Sequence, residues 1–325
     1  MRNSYRWGVI GAGRIADKFC TALNFVEGSE LYAVASRDQQ RAQHYANKFN
    51  ATKWYDDYDE LIKDDNIDIV YIATPNHLHH DLAMRAMQHN KAVLCEKPLS
   101  ISYRHSKEMI EQAKKSNVFL MEGMWTSCMP FIEKIQQLIQ QDLIGLPQFV
   151  QADFGFTAPV DFESRIFSKA LGGGSLLDIG IYPIFLASLI LGEPSTVEFV
   201  SKLTTTGVDE YCNLILQYPQ GQTAHLLSTI SFNTPIQAMI SGAKGRIEIK
   251  SPWFKATDFT VILNDGTQKD YSIPHQSNGF EHEIKEVMHC LDNGFLQSEK
   301  WPHHLTLLVS KIMEEVLVKA GVDFD

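Results

Sequence analysis

Apolar and polar positions in the first third of the chain fall into short β-rich runs separated by stretches with helical spacing. The runs are Trp7 to Gly11, Leu31 to Ser36, Asp68 to Ala73, Lys91 to Cys95 and Val118 to Glu122. Strands that alternate with helices are the sequence form of a doubly wound parallel sheet. From about Pro147 the pattern lengthens into alternating runs at Val197 to Thr205, Tyr211 to Tyr218, Thr223 to Phe232, Gln237 to Ser241, Arg246 to Lys250 and Phe259 to Leu263. Turn residues at Pro219 to Gly221 and at Asn264-Asp265-Gly266 join neighbours as hairpins, which predicts a large, mostly antiparallel open sheet. Helices at about Gly279 to Leu291 and His303 to Ala320 close the pattern. The expected architecture is α/β, with a dinucleotide-type domain over residues 1–122 and a second α/β domain over residues 123–325.

Length and composition narrow the class. At roughly 100 to 200 residues per domain, 325 residues make about two domains. Lys plus Arg total 29 against 39 for Asp plus Glu, a net charge of −10, so a duplex-coating basic surface is excluded and no nucleic-acid partner is expected. No apolar leader precedes Trp7, and the most apolar stretch, Ile179 to Gly192, is shorter than the roughly 20 residues of a membrane span and contains Pro183. No membrane partner is expected either. Five scattered cysteines without a C-x-x-C pair argue against a disulfide framework and a zinc knuckle, and fit a reducing cytoplasm.

The strand Trp7-Gly8-Val9-Ile10 runs into Gly11-Ala12-Gly13-Arg14-Ile15-Ala16, a G-x-G-x-x-A turn that opens a helix. Gly11 permits the tight turn, Gly13 leaves room for a pyrophosphate, and small Ala16 lets the helix lie on the strand. The first helical N–H groups, at Arg14 and Ile15, then face the phosphates. This is the Rossmann fingerprint. An NAD enzyme usually carries an acid at the end of the next strand; here the sequence reads Ser36-Arg37-Asp38. A hydroxyl and a guanidinium suit a 2′-phosphate that a carboxylate would repel, so NADP is expected, with NAD as the alternative through Asp38.

Two further strands end at the same sheet edge, in Thr74-Pro75-Asn76-His77-Leu78-His79-His80 and in Glu96-Lys97-Pro98. Thr74, Asn76, His79, Glu96 and Lys97 are the residues that edge offers a cofactor. The histidine run lacks a neighbouring carboxylate or cysteine set, which favours loop and cap roles and no metal. Lys97 follows a buried strand, where a lowered pKa would make it a proton shuttle and an ion pair with Glu96 would make it structural. In the second domain, Gly172-Gly173-Gly174 delivers Ser175 as a plausible N-cap. A helix from there puts Asp178 and Tyr182 on one face, unless Pro183 starts the helix anew.

The Gly11-Ala12-Gly13 turn, the Glu96-Lys97-Pro98 triplet and Asp178-x-x-x-Tyr182 together resemble the glucose–fructose oxidoreductase, inositol dehydrogenase and rhizopine-catabolism (Gfo/Idh/MocA) family. Leu120-Met121-Glu122, Met124-Trp125-Thr126, Gly174 to Tyr182, Thr206 to Asp209 and Leu216 to Pro219 are similar to its dimeric dihydrodiol dehydrogenase and NADP-dependent D-xylose dehydrogenase branch. The resemblance implies hydride transfer between a nicotinamide and the carbinol carbon of a xylose-like sugar or a trans-dihydrodiol. Lys97 would sit near the reacting carbon, Asp178 would orient the substrate or Lys97, and Tyr182 would be the general acid/base, its pKa lowered by Lys97. Trp125, Phe154 and Trp253 would form an aromatic wall, with Arg165 or Lys202 near its mouth, and core packing is the competing role of each. The resemblance also implies a homodimer or higher homo-oligomer built on the C-terminal sheet. The alternatives are an NAD-linked inositol or amino-sugar dehydrogenase, a glycosidase with a transient keto step, and a regulator that senses a dinucleotide without turnover.

Overall fold

The structure is a computed structural model that describes residues 4–324. Its contacts divide the chain into two compact units, Met1–Cys128 with His275–Thr306, and Met129–Pro274 with Leu307–Asp325. The chain therefore crosses between units three times, at 128/129, 274/275 and 306/307, where the sequence pattern marks a single change near residue 122.

In the first unit β1 (Tyr5–Ile10), β2 (Ser29–Ala35), β3 (Lys53–Tyr55), β4 (Ile69–Ile72), β5 (Ala92–Glu96) and β6 (Leu120–Gly123) form one parallel sheet in the order β3-β2-β1-β4-β5-β6. Helices α1 (Arg14–Leu23), α2 (Gln39–Phe49), α3 (Tyr58–Lys63), α4 (His79–Gln88) and α5 (Tyr103–Ser116) connect the strands. Strand order reverses between β1 and β4, the switch point at which open α/β sheets leave a crevice at their carboxyl ends. Every residue of β4 and β5 is buried, as strands covered on both faces must be. Strand β3 was not expected, because three residues are too few to show a period.

The second unit holds α6 (Pro130–Gln140), β7 (Pro147–Gly155), α7 (Ile181–Leu191) and seven further strands. They are β8 (Thr196–Leu203), β9 (Asp209–Gln217), β10 (Thr223–Thr229), β11 (Ala238–Gly242), β12 (Gly245–Ile249), β13 (Asp258–Leu263) and β14 (Gln268–Ser272). The eight strands run in the order β14-β13-β12-β11-β7-β10-β9-β8, antiparallel except for the β7–β10 pair. Both expected hairpins close, by Gly221 N–H to Tyr218 O at 3.0 Å and by Gly266 N–H to Leu263 O at 3.0 Å. Strand β10 stops at Thr229, three residues before the expected end, where the Thr229 hydroxyl accepts the Ser231 N–H at 3.1 Å in place of a ladder partner. Lys169–Leu191 is long and apolar enough to cross a membrane by length and composition, yet 83% of its apolar window is buried within the protein. It is the core helix against which β7 and β10 pack. Helix α8 (Phe280–Asp292) returns to the first unit, and α9 (His303–Lys319) runs through the last crossing.

Candidate active site

The fingerprint turn is built as the sequence requires. Gly11 takes φ +105°, and a Cβ there would stand 2.6 Å from Ala73 O, so only glycine lets β1 pass that close to the end of β4. A Cβ on Gly13 would meet nothing within 4 Å; the turn opens onto free space, and the Tyr45 hydroxyl fixes it by donating to Gly13 O at 2.6 Å. Gly11, Ala12, Gly13, Ser36, Arg37 and Thr74 line one cavity of about 610 Å³. Arg41 and Tyr58 line it too, and sequence reasoning missed both. Arg41 lies one helical turn beyond Arg37, so a helix spacing of four was the signal. Asp38, the N-cap of α2, accepts the Arg41 N–H at 3.0 Å and lines the same cavity. Thr74 keeps a buried hydroxyl with no hydrogen-bond partner in the cavity wall. Arg14 and Ile15 open α1, and Asn76 opens the 3-10 turn Asn76–Leu78.

The loop after β5 carries Lys97 and is clamped on both sides. His79 is fully buried between the two loops, its ring nitrogens 2.9 Å from Pro98 O and from Thr74 O, so the neutral ring donates to one of these carbonyls. Burial pushes its imidazole pKa down. Glu122 at the end of β6 accepts the Leu99 N–H at 2.8 Å, Trp301 Nε1 at 2.8 Å and the Thr306 hydroxyl at 2.9 Å. Burial raises the Glu122 pKa, while the nearby Lys97 charge pulls it down. Glu96 turns inward and takes the Tyr71 hydroxyl at 2.5 Å and the Lys97 N–H at 3.3 Å, while the half-buried Lys97 follows it. Trp125, also in this unit, stacks on Phe280 with ring centroids 4.4 Å apart. Of the histidine run, His80 pairs with Glu108 at 3.0 Å, and its ligand atoms lie within 4.8 Å of those of His105 and Glu108, so α5 supplies the carboxylate that the local sequence lacked.

In the second unit a wide turn, Leu176–Gly180, leads into α7 without a break, so Pro183 neither ends nor restarts the helix. Pro183 sits in the first turn, where its missing N–H costs least. Asp178 and Tyr182 are both buried on this continuous element. Arg165 Nη1 donates to Asp178 Oδ1 at 2.8 Å, and Phe154 and Phe254 flank the Tyr182 ring at 5.6 and 5.2 Å. Phe154 and Phe254 stack on each other at 4.4 Å. Trp253 is corrected: it is fully buried, with Nε1 donating to Asp153 O at 2.9 Å, and its neighbour Phe254 supplies the ring. Lys202 is corrected as well, since it pairs with Glu210 at 3.0 Å on the β8–β9 edge. Ser175 is not the cap it was expected to be. Its hydroxyl donates to Asp209 Oδ2 at 2.6 Å, and the same oxygen accepts the Leu176 N–H at 2.7 Å, so Asp209 from β9 caps the helix start. Gly174, at φ +109°, makes room for this carboxylate, because a Cβ there would lie 2.2 Å from Asp209 Oδ1.

Comparison with known proteins decides the family. Residues 5–124 match the oxidoreductase family with an NAD-binding Rossmann fold, and residues 132–248 match the GFO/IDH/MocA C-terminal domain. The chain belongs to the Gfo/Idh/MocA oxidoreductase family. Within it the chain is 37% identical to trans-1,2-dihydrobenzene-1,2-diol dehydrogenase of Xenopus tropicalis, covering 98% of this chain and 99% of that one. It is 32% identical to the human protein of the same name, with 98% of each chain covered. Among solved structures it superposes with TM-score 0.89 on an aldose-aldose oxidoreductase from Caulobacter crescentus complexed with glycerol, at 26% identity and 98% coverage of both chains. KijD10, a 3-ketoreductase from Actinomadura kijaniata in complex with NADP and TDP-benzene, superposes with TM-score 0.84 at 26% identity over 96% of both.

As a Gfo/Idh/MocA oxidoreductase the chain binds NAD(P) in its Rossmann unit, and its own residues fit that cofactor. The open space over Gly13 admits a pyrophosphate at the start of α1, and the orphaned Thr74 hydroxyl offers a hydrogen bond. Arg37 and Arg41 put two guanidiniums on the same cavity.

Proposed function

We propose that this Gfo/Idh/MocA oxidoreductase uses NADP and acts on a carbinol carbon of a cyclic diol or a xylose-like sugar, with Tyr182 exchanging the hydroxyl proton. The single observation that carries the reading is the pairing of a buried phenol and a buried carboxylate on one helix, Tyr182 and Asp178, inside a wall of Phe154 and Phe254. A phenol and a carboxylate are costly to bury for packing alone. Two aromatic faces suit the flat apolar side of a ring, and Asp178 with its Arg165 partner suits the hydroxyls. The nicotinamide supplies or accepts the hydride. Lys97 contributes a fixed positive charge from the clamped loop, which favours the ionised form of an oxygen at the reacting carbon. Ser36, Arg37 and Arg41 support NADP over NAD, because two guanidiniums complement a 2′-phosphate dianion.

The outer face of the second unit's sheet supports self-association. Gln151, Asn213, His225, Met239 and Glu248 line a broad depression of about 780 Å³ there, with Ile215 41% exposed beside it. We propose a homodimer on this face. Five buried free thiols support residence in a reducing compartment, the cytoplasm. The deciding experiment follows absorbance of the reduced nicotinamide with NADP and NAD in parallel, against trans-dihydrobenzenediol, D-xylose, D-glucose and myo-inositol. Turnover with NADP on the diol or on xylose is the expected result. Turnover confined to NAD and inositol would replace the reading, and nucleotide binding without any turnover would favour a sensor.

A further inference from the structure

Among the described residues, two clusters of three metal-ligating side chains lie outside the nucleotide cavity. His275, Glu281 and His282 are already committed. Glu281 accepts the backbone N–H groups of Gln276, Ser277 and Gly279 through its two carboxyl oxygens, and His275 Nδ1 and His282 Nε2 share a hydrogen bond at 3.2 Å. His80, His105 and Glu108 are arranged differently.

These three come from α4 and α5, which pack on each other. His105 and Glu108 stand three positions apart on α5, which sets them on one face of that helix. Ser102, the N-cap of α5, fixes its start by accepting the His105 N–H at 3.3 Å. His80, the second residue of α4, meets them from the neighbouring helix. Its ring lies against that of His105, with centroids 4.4 Å apart and planes 28° from parallel. Its Nε2 is 3.0 Å from Glu108 Oε2, yet that nitrogen is enclosed and makes no hydrogen bond. The side chains of His80 and Glu108 are 27% and 40% exposed, so an ion can enter from solvent.

One ligand atom from each of the three residues falls within 4.8 Å of the others. Around a tetrahedral zinc, with bonds of about 2.0 to 2.2 Å, ligand atoms stand about 3.3 to 3.6 Å apart. The cluster therefore has to contract by about 1.5 Å at most, a distance that side-chain rotation supplies. Two imidazoles and one carboxylate are the donor set of an open zinc site, with the fourth position left to water. Nitrogen donors select Zn2+ and its first-row neighbours over Mg2+ and Ca2+, which take oxygen. A surface ion pair accounts for His80 with Glu108, but not for a second imidazole laid face to face with the first. A cation shared by all three accounts for both.

We propose that His80, His105 and Glu108 form a zinc site that ties the start of α4 to the start of α5. Helix α4 directly follows the Asn76–Leu78 turn, and α5 follows the loop that carries Lys97. The metal thus joins, from outside, the two segments between which His79 is buried. Exposed Arg104 opposes it, with Nη2 3.4 Å from His105 Nε2, and this repulsion limits the affinity. None of the three ligands lines the nucleotide cavity, so the site stands whatever nucleotide or substrate the protein uses.

The test adds Zn2+ alone to the full chain, free of any affinity tag and of nucleotide, at pH 7.5. Binding is read by competition with a chromophoric chelator, and Co2+ serves as a spectroscopic substitute. The wild type is expected to bind one Zn2+ with a dissociation constant on the order of 1 to 10 μM, and Co2+ to show the visible absorption of a tetrahedral site. His105→Gln and Glu108→Gln are each expected to weaken Zn2+ binding by about tenfold or more and to abolish the Co2+ band, with the far-UV spectrum unchanged. Zn2+ should raise the melting temperature of the wild type and leave that of both variants where it was. Should one variant not fold, the other and His80→Asn carry the same measurements. No binding to the wild type up to about 100 μM Zn2+ overturns the proposal. So does binding that survives in both variants, or that is kept in them and lost in His282→Asn.

Discussion

In the proposed mechanism Tyr182 exchanges the substrate's hydroxyl proton, a transfer that works at neutral pH only where a neighbouring positive charge favours the phenolate. Tyr182→Phe is expected to lower kcat by about 10²- to 10⁴-fold with little change in KM for the nucleotide, measured by steady-state kinetics at neutral pH. Near wild-type turnover would remove Tyr182 from the proton transfer. Arg37→Ala and Arg41→Ala test the cofactor choice. Each is expected to weaken NADP binding by about tenfold or more and to leave NAD nearly unchanged, because each removes a charged donor that only the 2′-phosphate uses. An equal loss for both nucleotides would place the guanidiniums elsewhere. Residue identities in the cradle were legible because G-x-G-x-x-A fixes a backbone path, and Ser36-Arg37 follows it after one helix and one strand. Phe254 was not legible next to Trp253: the two share the 3-10 turn Trp253–Lys255, whose successive side chains point in different directions, and only the fold showed that Trp253 faces the core.

Among the elements, the helix that carries Asp178 and Tyr182 depends on a carboxylate from another strand. Asp209 is 1% exposed, and burial lifts its pKa to about 6, against the hydrogen bonds from Ser175 and Leu176 that hold it down. A carboxyl raised in this way contributes stability in full below its unfolded pKa, near 4. The contribution is then lost as pH climbs through about 6. Thermal melts of the wild type from pH 4 to 7 should show this fall, and Asp209→Asn should flatten it. Asp209→Ala should cost about 1 to 3 kcal/mol in denaturant melts, because it strips the Leu176 N–H and the Ser175 hydroxyl of their acceptor. Retained stability in Asp209→Ala would show that the helix start finds another acceptor.

At the scale of the whole molecule, the second unit presents one covered and one open sheet face. An open antiparallel face with exposed Ile215 and a hydrophobic edge at Val200, 64% exposed, is expected to be closed by a second copy. Light scattering should then give twice the 36.8 kDa chain mass. Ile215→Glu should shift that mass toward the monomer without changing the far-UV spectrum. A monomeric wild type would assign the open face to solvent.

The sequence by itself determined the two sheets, the fingerprint turn, the hairpins and the family, because these rest on periods of two and of 3.6 residues and on turn glycines, which are local. It also placed Lys97, Asp178 and Tyr182 at the ends of elements where chemistry belongs. Only tertiary structure decided the rest. It returned residues 275–306 to the first unit, brought Asp209 to cap the helix of Tyr182, and carried His79 inward between two loops. Asp209 and Leu176 are 33 positions apart, and His79 and Pro98 are 19. The partner of a buried polar group is chosen by where the chain returns, and no local pattern encodes that return.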